Sequence, residues 1–516
     1  MTAVIQDLPE EMLVHIFSYL DFDDRKVAAT VCRHWSGLAL RWGDIQLEVD
    51  FRRSGVESTY HQVLMASQRP YRHVTLFFGH DYAKCALLLD ILSQFASTLD
   101  TLTILPNSFI PVELVFLAQV AGLCPTLKRL HVDVCTFQNK PYTEIRFPPL
   151  NNLFDLYVEN NLLDLREIDI RETMPNVTGL HVQISYYSKR PQAVLQHFGN
   201  RLQELEVWFL TEDHFPSVCE MNFPLLKKVN FYCVDCNFDD FRMIGQFATF
   251  FQHCPELVEA TLRCNINAPV LNTITQICTN LQSLCLSIED HSAECFRSLS
   301  ELHNLKRLRI EDASISVPEM EYYVVFKNLH TLTLYSVQIV HSSKFNSFMC
   351  SCFPKLATLE LLNICCGMNQ AEMFKLHSSI CSNLNTLERL VLCESERLLD
   401  LDLFFYFASL VRLRELRLEF RSLTDYICPY DTNLLYVRTL ILHVPQMHDE
   451  SLRKLIQLLP KIRLIMLSKN NGFSVDGIRA ISDQLPECDI RVKRRVQVSW
   501  TNLGSAAIRF RRSVSW

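Results

Sequence analysis

The sequence is poor in glycine, which makes up 12 of its 516 residues. None of these glycines lies in a G-x-x-x-x-G-K-[ST] or G-x-G-x-x-G pattern, the loops whose backbone N–H groups hold nucleotide phosphates. An H-E-x-x-H pattern, which would bring two histidines together on a zinc ion, is also missing. A catalytic triad of distant residues would leave no local pattern, but nothing points to one. We therefore expect no catalytic residue and no cofactor.

Positive charge is not in excess, since 50 basic residues face 57 acidic ones and the formal net charge is -7. Proteins that bind nucleic acid usually carry a basic excess, so we expect no nucleic-acid partner. No uncharged apolar run approaches the ~20 residues that cross a bilayer, and the first residues do not resemble a signal peptide. We expect no membrane partner and a cytoplasmic or nuclear location.

Matched cysteine pairs are missing too, although the chain has 20 cysteines. Cys233 and Cys236 form a lone C-x-x-C, whereas a structural zinc site needs a second pair at suitable spacing. Many other cysteines fall at apolar positions of a repeat, where a free thiol behaves as a small buried hydrophobe. We predict reduced thiols, a reducing compartment and no metal site.

An internal repeat dominates what the sequence does contain. The pattern apolar-x-x-apolar-x-apolar recurs in roughly 17 copies, mostly about 24–28 residues apart, which is the period of leucine-rich repeats. The clearest copies begin at Leu127, Val177, Leu202, Leu281, Leu305, Leu329, Leu356, Leu413 and Ile462. A weak last copy lies at Ile490 and Val492. Longer intervals at 226–257 and 356–387 predict extended helices or loops.

The spacing within each copy has a simple structural meaning. The last two apolar positions are two residues apart, so they share one face of a short strand. The segments between copies, such as 241–251, carry apolar residues at helical spacing. One strand and one helix cannot bury their own apolar faces, but stacked neighbours can. We predict a curved α/β solenoid with parallel strands inside and helices outside.

Prolines before several strands strengthen this interpretation, because proline cannot continue a helix. They occur at Cys124-Pro125, Phe223-Pro224, Cys254-Pro255 and Phe353-Pro354. With these prolines the chain resembles the leucine-rich repeats over residues 42–492, including the type in which a helix closes with CPxLxxLxL. The asparagine that often follows the strand in that family is mostly missing here.

The first forty residues have a different pattern. Leu8-Pro9 precedes an amphipathic stretch that ends in Ile16-Phe-Ser-Tyr-Leu20, and Val31-Cys-Arg-His-Trp35 closes a second one. This segment resembles the F-box, and the resemblance implies binding to a Skp-type adaptor of a cullin–RING ubiquitin ligase. Carried over position by position, the adaptor-facing residues are Leu8, Pro9, Leu13, Ile16, Leu20, Val31, Cys32 and Trp35. The alternative is that these helices only cap the end of the repeats.

A protein target is expected on the concave face, where the residues between and just after the last two apolar positions point. Trp208, Tyr232 and Arg263 fall there on three neighbouring strands, and exposed residues of these types form interface hot spots. We predict that this trio binds the target. The alternatives are that a loop or the tail covers Trp208, or that the face is merely solvated.

The predicted domains are an F-box at 1–41, the repeats at 42–492 and a basic tail at 493–516. The tail could lie on the concave face, dock on the last repeat, bind an acidic target, act as a nuclear signal or be disordered. The family resemblance implies a non-catalytic substrate-recognition adaptor of an SCF-type (Skp–cullin–F-box) ubiquitin ligase, which recruits a target for ubiquitination and proteasomal degradation. The alternative is a repeat scaffold or inhibitor that binds the Skp adaptor without promoting ubiquitination.

Overall fold

The structure is a computed structural model of the chain. It describes residues 5, 8–20, 22–39, 46–51, 57–67, 69, 71–78, 84–106, 114–132, 147–158, 170–184, 191–209, 214–233, 241–288, 293–315, 324–339, 348–349, 351–364, 370–399, 403–423, 434–468 and 473–493. The chain divides into two compact units, Met1–Leu257 and Val258–Trp516. The predicted basic tail lies outside the described residues except for Lys493.

The first unit begins with helices and continues with alternating strands and helices. Its helices near the N-terminus are α1 (Glu10–Ser18), α2 (Phe22–Ala29) and α3 (Arg33–Ala39). They are followed by β1 (Gln46–Phe51), α4 (Glu57–Met65), β2 (His73–Phe78), α5 (Lys84–Phe95), β3 (Thr101–Pro106), α6 (Leu114–Leu123), β4 (Arg129–Val132), β5 (Asp155–Val158), α7 (Ile170–Thr173), β6 (Gly179–Ile184), α8 (Pro191–Phe198), a 3-10 turn (Gly199–Arg201), β7 (Glu204–Phe209), α9 (Phe215–Cys219), β8 (Lys228–Cys233) and α10 (Phe241–Gln252). Each strand from β1 to β7 pairs in parallel with the next one in the chain.

The second unit repeats the same arrangement. Its elements are β9 (Glu259–Ile266), α11 (Ala268–Ile277), β10 (Ser283–Ile288), α12 (Ala293–Ser300), β11 (Arg307–Glu311), β12 (Ser314–Ile315), β13 (Thr331–Tyr335), β14 (Gln338–Ile339), β15 (Thr358–Leu362), α13 (Gln370–Asn383), β16 (Arg389–Leu399), α14 (Leu403–Phe407), β17 (Glu415–Leu423), β18 (Thr439–His443), α15 (Asp449–Gln457), β19 (Leu464–Ser468), α16 (Val475–Gln484) and β20 (Asp489–Lys493). The strands pair in parallel in chain order, except that the short β12 and β14 form a separate pair.

Alternation along each strand separates the core from the opposite face of the sheet. In β7 the side chains of Leu205, Val207 and Phe209 are fully buried, while the polar Glu206 and the half-buried Trp208 point the other way. The same alternation recurs in register from strand to strand, so the buried residues of successive repeats form continuous rows. This architecture confirms the predicted leucine-rich-repeat class.

The prolines end helices in the way the sequence predicts. Helix α6 stops at Leu123, and the carbonyl of Cys124 then accepts a hydrogen bond from the N–H of Leu127, the first apolar residue of the next repeat (3.2 Å). Cys254 and Leu257 make the same 3.2 Å contact after α10. Each turn therefore fixes the position at which the next strand begins.

The sequence predicts extended helices or loops in the two long intervals, and both intervals contain a helix. Helix α10 in the first interval has 12 residues, as many as α5, and α13 in the second has 14 residues. The predicted weak last repeat is also present, because Ile490 and Val492 belong to β20, which pairs with β19. In the first unit, Phe247 and Phe250 of α10 pack against Phe215 and Phe231, with ring centroids 4.9 and 4.8 Å apart respectively.

Three consecutive repeats of the second unit turn sharply at the end of a strand. Asp312, Ser336 and Asn363 follow β11, β13 and β15 and have φ values of 46°, 54° and 49°. Their N–H groups donate to the carbonyls of Tyr335, Leu362 and Cys393 in the next strand (3.0, 2.8 and 2.7 Å). Asp312, Ser336 and Asn363 thus adopt the left-handed backbone conformation, and we call each of these turns a left-handed corner. The corners continue the hydrogen bonding between repeats, even though only one of the three residues is asparagine.

Candidate functional site

The helices α1 to α3 form a small core of their own. Leu13 and Phe17 of α1 pack with Ala28, Leu38 and Ala39, all of them buried. Partly buried neighbours complete the cluster: Leu8, Val14, Leu20, Ala29 and Trp35. The cluster is small, so it has little buried apolar surface with which to hold the three helices together.

Hydrogen bonds fix the ends of these helices. The Arg25 side chain donates from Nε to the carbonyl of Leu20 (2.9 Å) and from a terminal nitrogen to that of Ser18 (3.1 Å), which satisfies acceptors at the end of α1. Cys32 precedes α3, and its sulfur accepts a hydrogen bond from the N–H of Trp35 (3.4 Å). The Trp35 ring meets the edge of Phe17 at 5.1 Å between centroids.

An apolar stripe lies on the exposed side of α1. Met12, Ile16 and Tyr19 are spaced by four and three residues, so they share one helical face, and all three are exposed. Val27 and Val31, at and after the end of α2, are exposed as well. Apolar side chains exposed together on one helical face are typical of an interaction site.

The predicted adaptor-facing residues divide by their exposure. Pro9, Ile16, Val31 and Cys32 are exposed, while Leu8, Leu20 and Trp35 are half-buried. Leu13 differs, because its side chain is fully buried in the helical core and offers no surface to a partner. Sequence reasoning missed Met12 and Tyr19, although their spacing from Ile16 already placed them on one helical face.

Polar and aromatic side chains line the sheet face opposite the core in the first unit. His131, Tyr157, His181, Glu206 and Asn230 occupy one row across β4 to β8. The rings of His131 and Tyr157 lie 3.8 Å apart between centroids, and those of Tyr157 and His181 lie 6.0 Å apart. A second row across β6 to β8 holds Gln183, Trp208 and Tyr232. We call these two rows the aromatic platform.

His181 lies between two carboxylates. Its Nε2 is 3.1 Å from Oδ1 of Asp155, and its Nδ1 is 3.3 Å from Oε2 of Glu206. Burial disfavours charge on the imidazole, but the hydrogen bonds and charges of the two carboxylates outweigh it and raise the pKa of His181 to about 10. For Glu206 burial likewise opposes ionisation, and the interaction with His181 outweighs it and lowers the pKa of the carboxyl. At neutral pH His181 is therefore an imidazolium and Glu206 is a carboxylate.

A glycine makes room for this arrangement. Gly179 stands beside Asp155 in the row that starts the strands, and a Cβ placed there would come within 3.0 Å of Asp155 Oδ1. The oxygen is the same one that contacts His181. A side chain at this position would require the carboxylate to shift from the place where it contacts the imidazole.

Glu206 also organises the aromatic part of the platform. Its Oε1 accepts a hydrogen bond from Trp208 Nε1 (2.7 Å), and its Oε2 accepts one from Asn230 Nδ2 (3.2 Å). The Trp208 ring stacks on Tyr232 at 4.0 Å with an interplanar angle of 8°. One buried carboxylate thus fixes the orientation of the indole, whose face opposite Tyr232 is preorganised for contact with a partner.

The predicted target-binding trio is only partly as expected. Trp208 and Tyr232 are in contact, as the spacing of the repeats predicts, but Tyr232 is 4% exposed rather than open to solvent. Its ring lies under the indole. Arg263 belongs to the second unit, where its guanidinium forms a two-pronged pair with Glu311 (2.7 and 3.0 Å). Other sheet-face arginines of that unit are paired as well, with Arg389 between Glu360 (3.3 Å) and Glu415 (2.9 Å).

Most thiols in the described part of the chain are buried. Thirteen cysteines there form no disulfide, and ten of these are buried. Burial raises the pKa of Cys124 to about 11 and that of Cys278 to about 12, which disfavours the reactive thiolate. Within the described ranges no group of histidine, cysteine and acidic side chains is arranged to hold a metal ion. None of the described helices has both the length and the apolar character needed to cross a membrane.

Comparison with known proteins supports the interpretation of the N-terminal helices. Residues 5–42 match the family model described as F-box-like, a range that includes all of α1 to α3. No curated protein compared matches the sequence of the chain. A solved internalin from Listeria monocytogenes aligns with 87% of this chain and 96% of its own, at 12% identity and a TM-score of 0.30. That likeness is too weak to carry an argument, so the fold class rests on the strands and their pairing.

Proposed function

We infer that this protein is a non-catalytic substrate-recognition adaptor of a Skp–cullin–F-box ubiquitin ligase. In this proposal α1 to α3 bind a Skp-type adaptor, and the sheet face of the repeats binds a protein target that is then ubiquitinated and degraded. The observation that carries the proposal is the exposed stripe of Met12, Ile16 and Tyr19 within the segment that matches the F-box-like model.

The chemistry of the stripe suits a partner with an apolar surface. Association is driven by the apolar area removed from water, and the helical cluster exposes large side chains that its own core does not use. The half-buried Leu8 and Leu20 extend this surface at the two ends of α1. Leu13 and Phe17 support it from behind, because they hold α1 against α3.

The aromatic platform is the proposed target site. Trp208 presents a stacked, hydrogen-bonded indole, and tryptophan and tyrosine are among the residues most enriched at interface hot spots. The side chains around it are fixed before a target arrives, so little conformational entropy is lost on binding. Arg263 is not included in this proposed site, because its pairing with Glu311 is in the second unit.

Binding of the purified full chain to a purified Skp-type adaptor tests the first half of the proposal. Val31→Asp places a charge in the proposed interface, and we expect it to weaken binding at least tenfold, as a charge left without a partner costs about 1.4 kcal/mol or more. Val63→Asp on α4 is the matched control, since Val63 is 62% exposed and Val31 is 55% exposed. Equal binding by all three proteins, each with a wild-type circular dichroism spectrum, would refute the docking role.

Reconstituted ubiquitin transfer separates the proposal from the scaffold alternative. If the chain joins an adaptor–cullin–RING assembly and a captured target receives ubiquitin, the ligase role stands. If the target is captured in that assembly but receives none, the protein is a scaffold or inhibitor that only uses the adaptor. Trp208→Ala should reduce target capture, whereas Phe405→Ala, an exposed aromatic on α14, should not.

A further inference from the structure

A row of cations lies where three consecutive strands of the second unit begin. Three residues of the same kind precede each of the strands β17, β18 and β19. In chain order they are a cation or tyrosine, a buried aliphatic residue and an arginine. The exposed members are Arg412, Arg414, Tyr436, Arg438, Lys461 and Arg463. Because adjacent strands are about 4.8 Å apart, the three arginines that end the pattern form a line about 10 Å long. We call these six residues the basic strip.

Backbone hydrogen bonds hold the strip in register. The N–H of Arg414 donates to the carbonyl of Glu388, that of Arg438 to Arg414 and that of Arg463 to Arg438 (2.8, 2.8 and 2.9 Å). The arginines therefore lie on successive rungs of one ladder. The same bonds use up these backbone N–H groups, so the side chains are the donors that remain for a ligand.

The cations of the strip lack the glutamate partners that several arginines on the sheet face have. Arg263, Arg309, Arg389 and Arg417 on the sheet face all pair with glutamates. In the described part of the chain, none of the five cations of the strip takes part in an ion pair or a side-chain hydrogen bond. These four guanidinium groups and one ammonium group are free to bind something outside the fold.

The strip also borders an open cavity of about 530 Å³. Three guanidinium groups and one carboxylate face it, together with one aromatic and one aliphatic side chain. The lining residues are Glu388, Val411, Arg412, Arg414, Tyr436 and Arg438. The cavity is therefore locally positive in a chain whose formal net charge is -7. A negatively charged ligand is the complementary one.

We propose that the basic strip binds an acidic, extended segment of a partner protein through several closely spaced carboxylates. Each guanidinium fork matches one carboxylate, and a line of forks matches a line of acidic side chains. A single phosphate would engage only part of a line of guanidinium groups about 10 Å long, whereas several carboxylates along a chain engage all of it. A nucleic acid would require a much longer basic surface than three strands provide.

The inference goes beyond the proposed function, because it concerns neither α1 to α3 nor the aromatic platform. It therefore has its own test on the purified full chain, without any ligase subunit. If the chain does not bind a Skp-type adaptor, the proposal for the basic strip is unaffected. If the basic strip does not bind an acidic peptide, the proposed adaptor binding is unaffected.

Fluorescence anisotropy with a labelled hexaglutamate peptide tests the proposal, beside a hexaglutamine peptide of equal length. The wild type should bind the glutamate peptide at least tenfold more tightly, and this preference should weaken as salt is added. The double variant Arg414→Gln/Arg438→Gln should lose at least tenfold in affinity. Arg479→Gln, an exposed arginine paired with Asp476 on α16, should bind as the wild type does.

Three results would overturn the inference. The double variant could retain wild-type affinity, which would assign binding to another basic segment such as the chain's own C-terminal tail. Arg479→Gln could lose as much affinity as the double variant, which would indicate a general charge effect. A phosphoserine peptide or a labelled oligothymidylate could bind more tightly than hexaglutamate with the same dependence on Arg414 and Arg438. Thermal unfolding of each variant checks that it is folded.

Discussion

At the scale of single residues, strand alternation predicted much of the aromatic platform. The repeat pattern alone assigns His181, Glu206 and Trp208 to the face opposite the core. It could not predict the contact of Asp155 with His181, because that contact depends on the space beside Gly179 in the neighbouring strand. It also treated Tyr232 as exposed, since a sequence does not reveal that one ring covers another.

Glu206 should be the most sensitive polar residue of the platform. Glu206→Gln removes the charge that three side chains contact, and it should lower the free energy of unfolding by about 2–3 kcal/mol. Glu204→Gln is the control, because Glu204 pairs with Lys228 at the surface. This substitution should lower the free energy of unfolding by less than about 1 kcal/mol. Urea unfolding measures both, and equal losses would contradict the proposed importance of Glu206.

The protonation of His181 makes the stability of the folded chain depend on pH. Its pKa is about 10 in the folded chain against the ordinary value of 6.5, so the folded state binds the proton more tightly than the unfolded state does. The stabilisation is therefore complete below pH 6.5 and is lost as the pH rises towards 10. The difference in thermal midpoint between wild type and His181→Gln should shrink over that range. A difference that stays constant or grows would show that His181 is neutral in the fold.

At the scale of elements, the periodicity of apolar residues predicted strands, helices and their order. The prolines after Cys124 and Cys254 correctly marked where helices end. The left-handed corners after β11, β13 and β15 were not predicted. The asparagine that would have indicated them is present at Asn363 alone, and Asp312 and Ser336 adopt the same conformation through their hydrogen bonds to the next strand.

The corner at Ser336 predicts opposite outcomes for two substitutions. Ser336→Val should lower the free energy of unfolding by about 1–2 kcal/mol, because a β-branched residue fits poorly at positive φ. Ser336→Gly should be neutral or stabilising, since glycine adopts this conformation without steric cost. Urea unfolding of the two variants provides the measurement. Equal effects of valine and glycine would mean that the corner is not held in the left-handed region.

At the scale of the whole molecule, the repeat determined the fold class and the first forty residues indicated the docking helices. The basic strip could not be predicted, because its arginines are about 24 residues apart in sequence and become neighbours only when successive strands are in register. The predicted boundaries at residues 41 and 492 remain predictions. The chain carries two separate candidate surfaces in its first unit. They are the exposed apolar side chains of the segment from α1 to α3, which include Met12, Ile16, Tyr19 and Val31, and the aromatic platform.

The central claim is that these two surfaces serve two different partners of one adaptor, and it predicts separable losses. Affinity purification of the full chain from cells, followed by mass spectrometry, should recover a Skp-type adaptor, a cullin and target proteins with the wild type. Val31→Asp should lose the adaptor and the cullin and keep the targets, whereas Trp208→Ala should lose targets and keep the ligase subunits. Recovery of the same proteins with all three, from folded chains, would contradict the account.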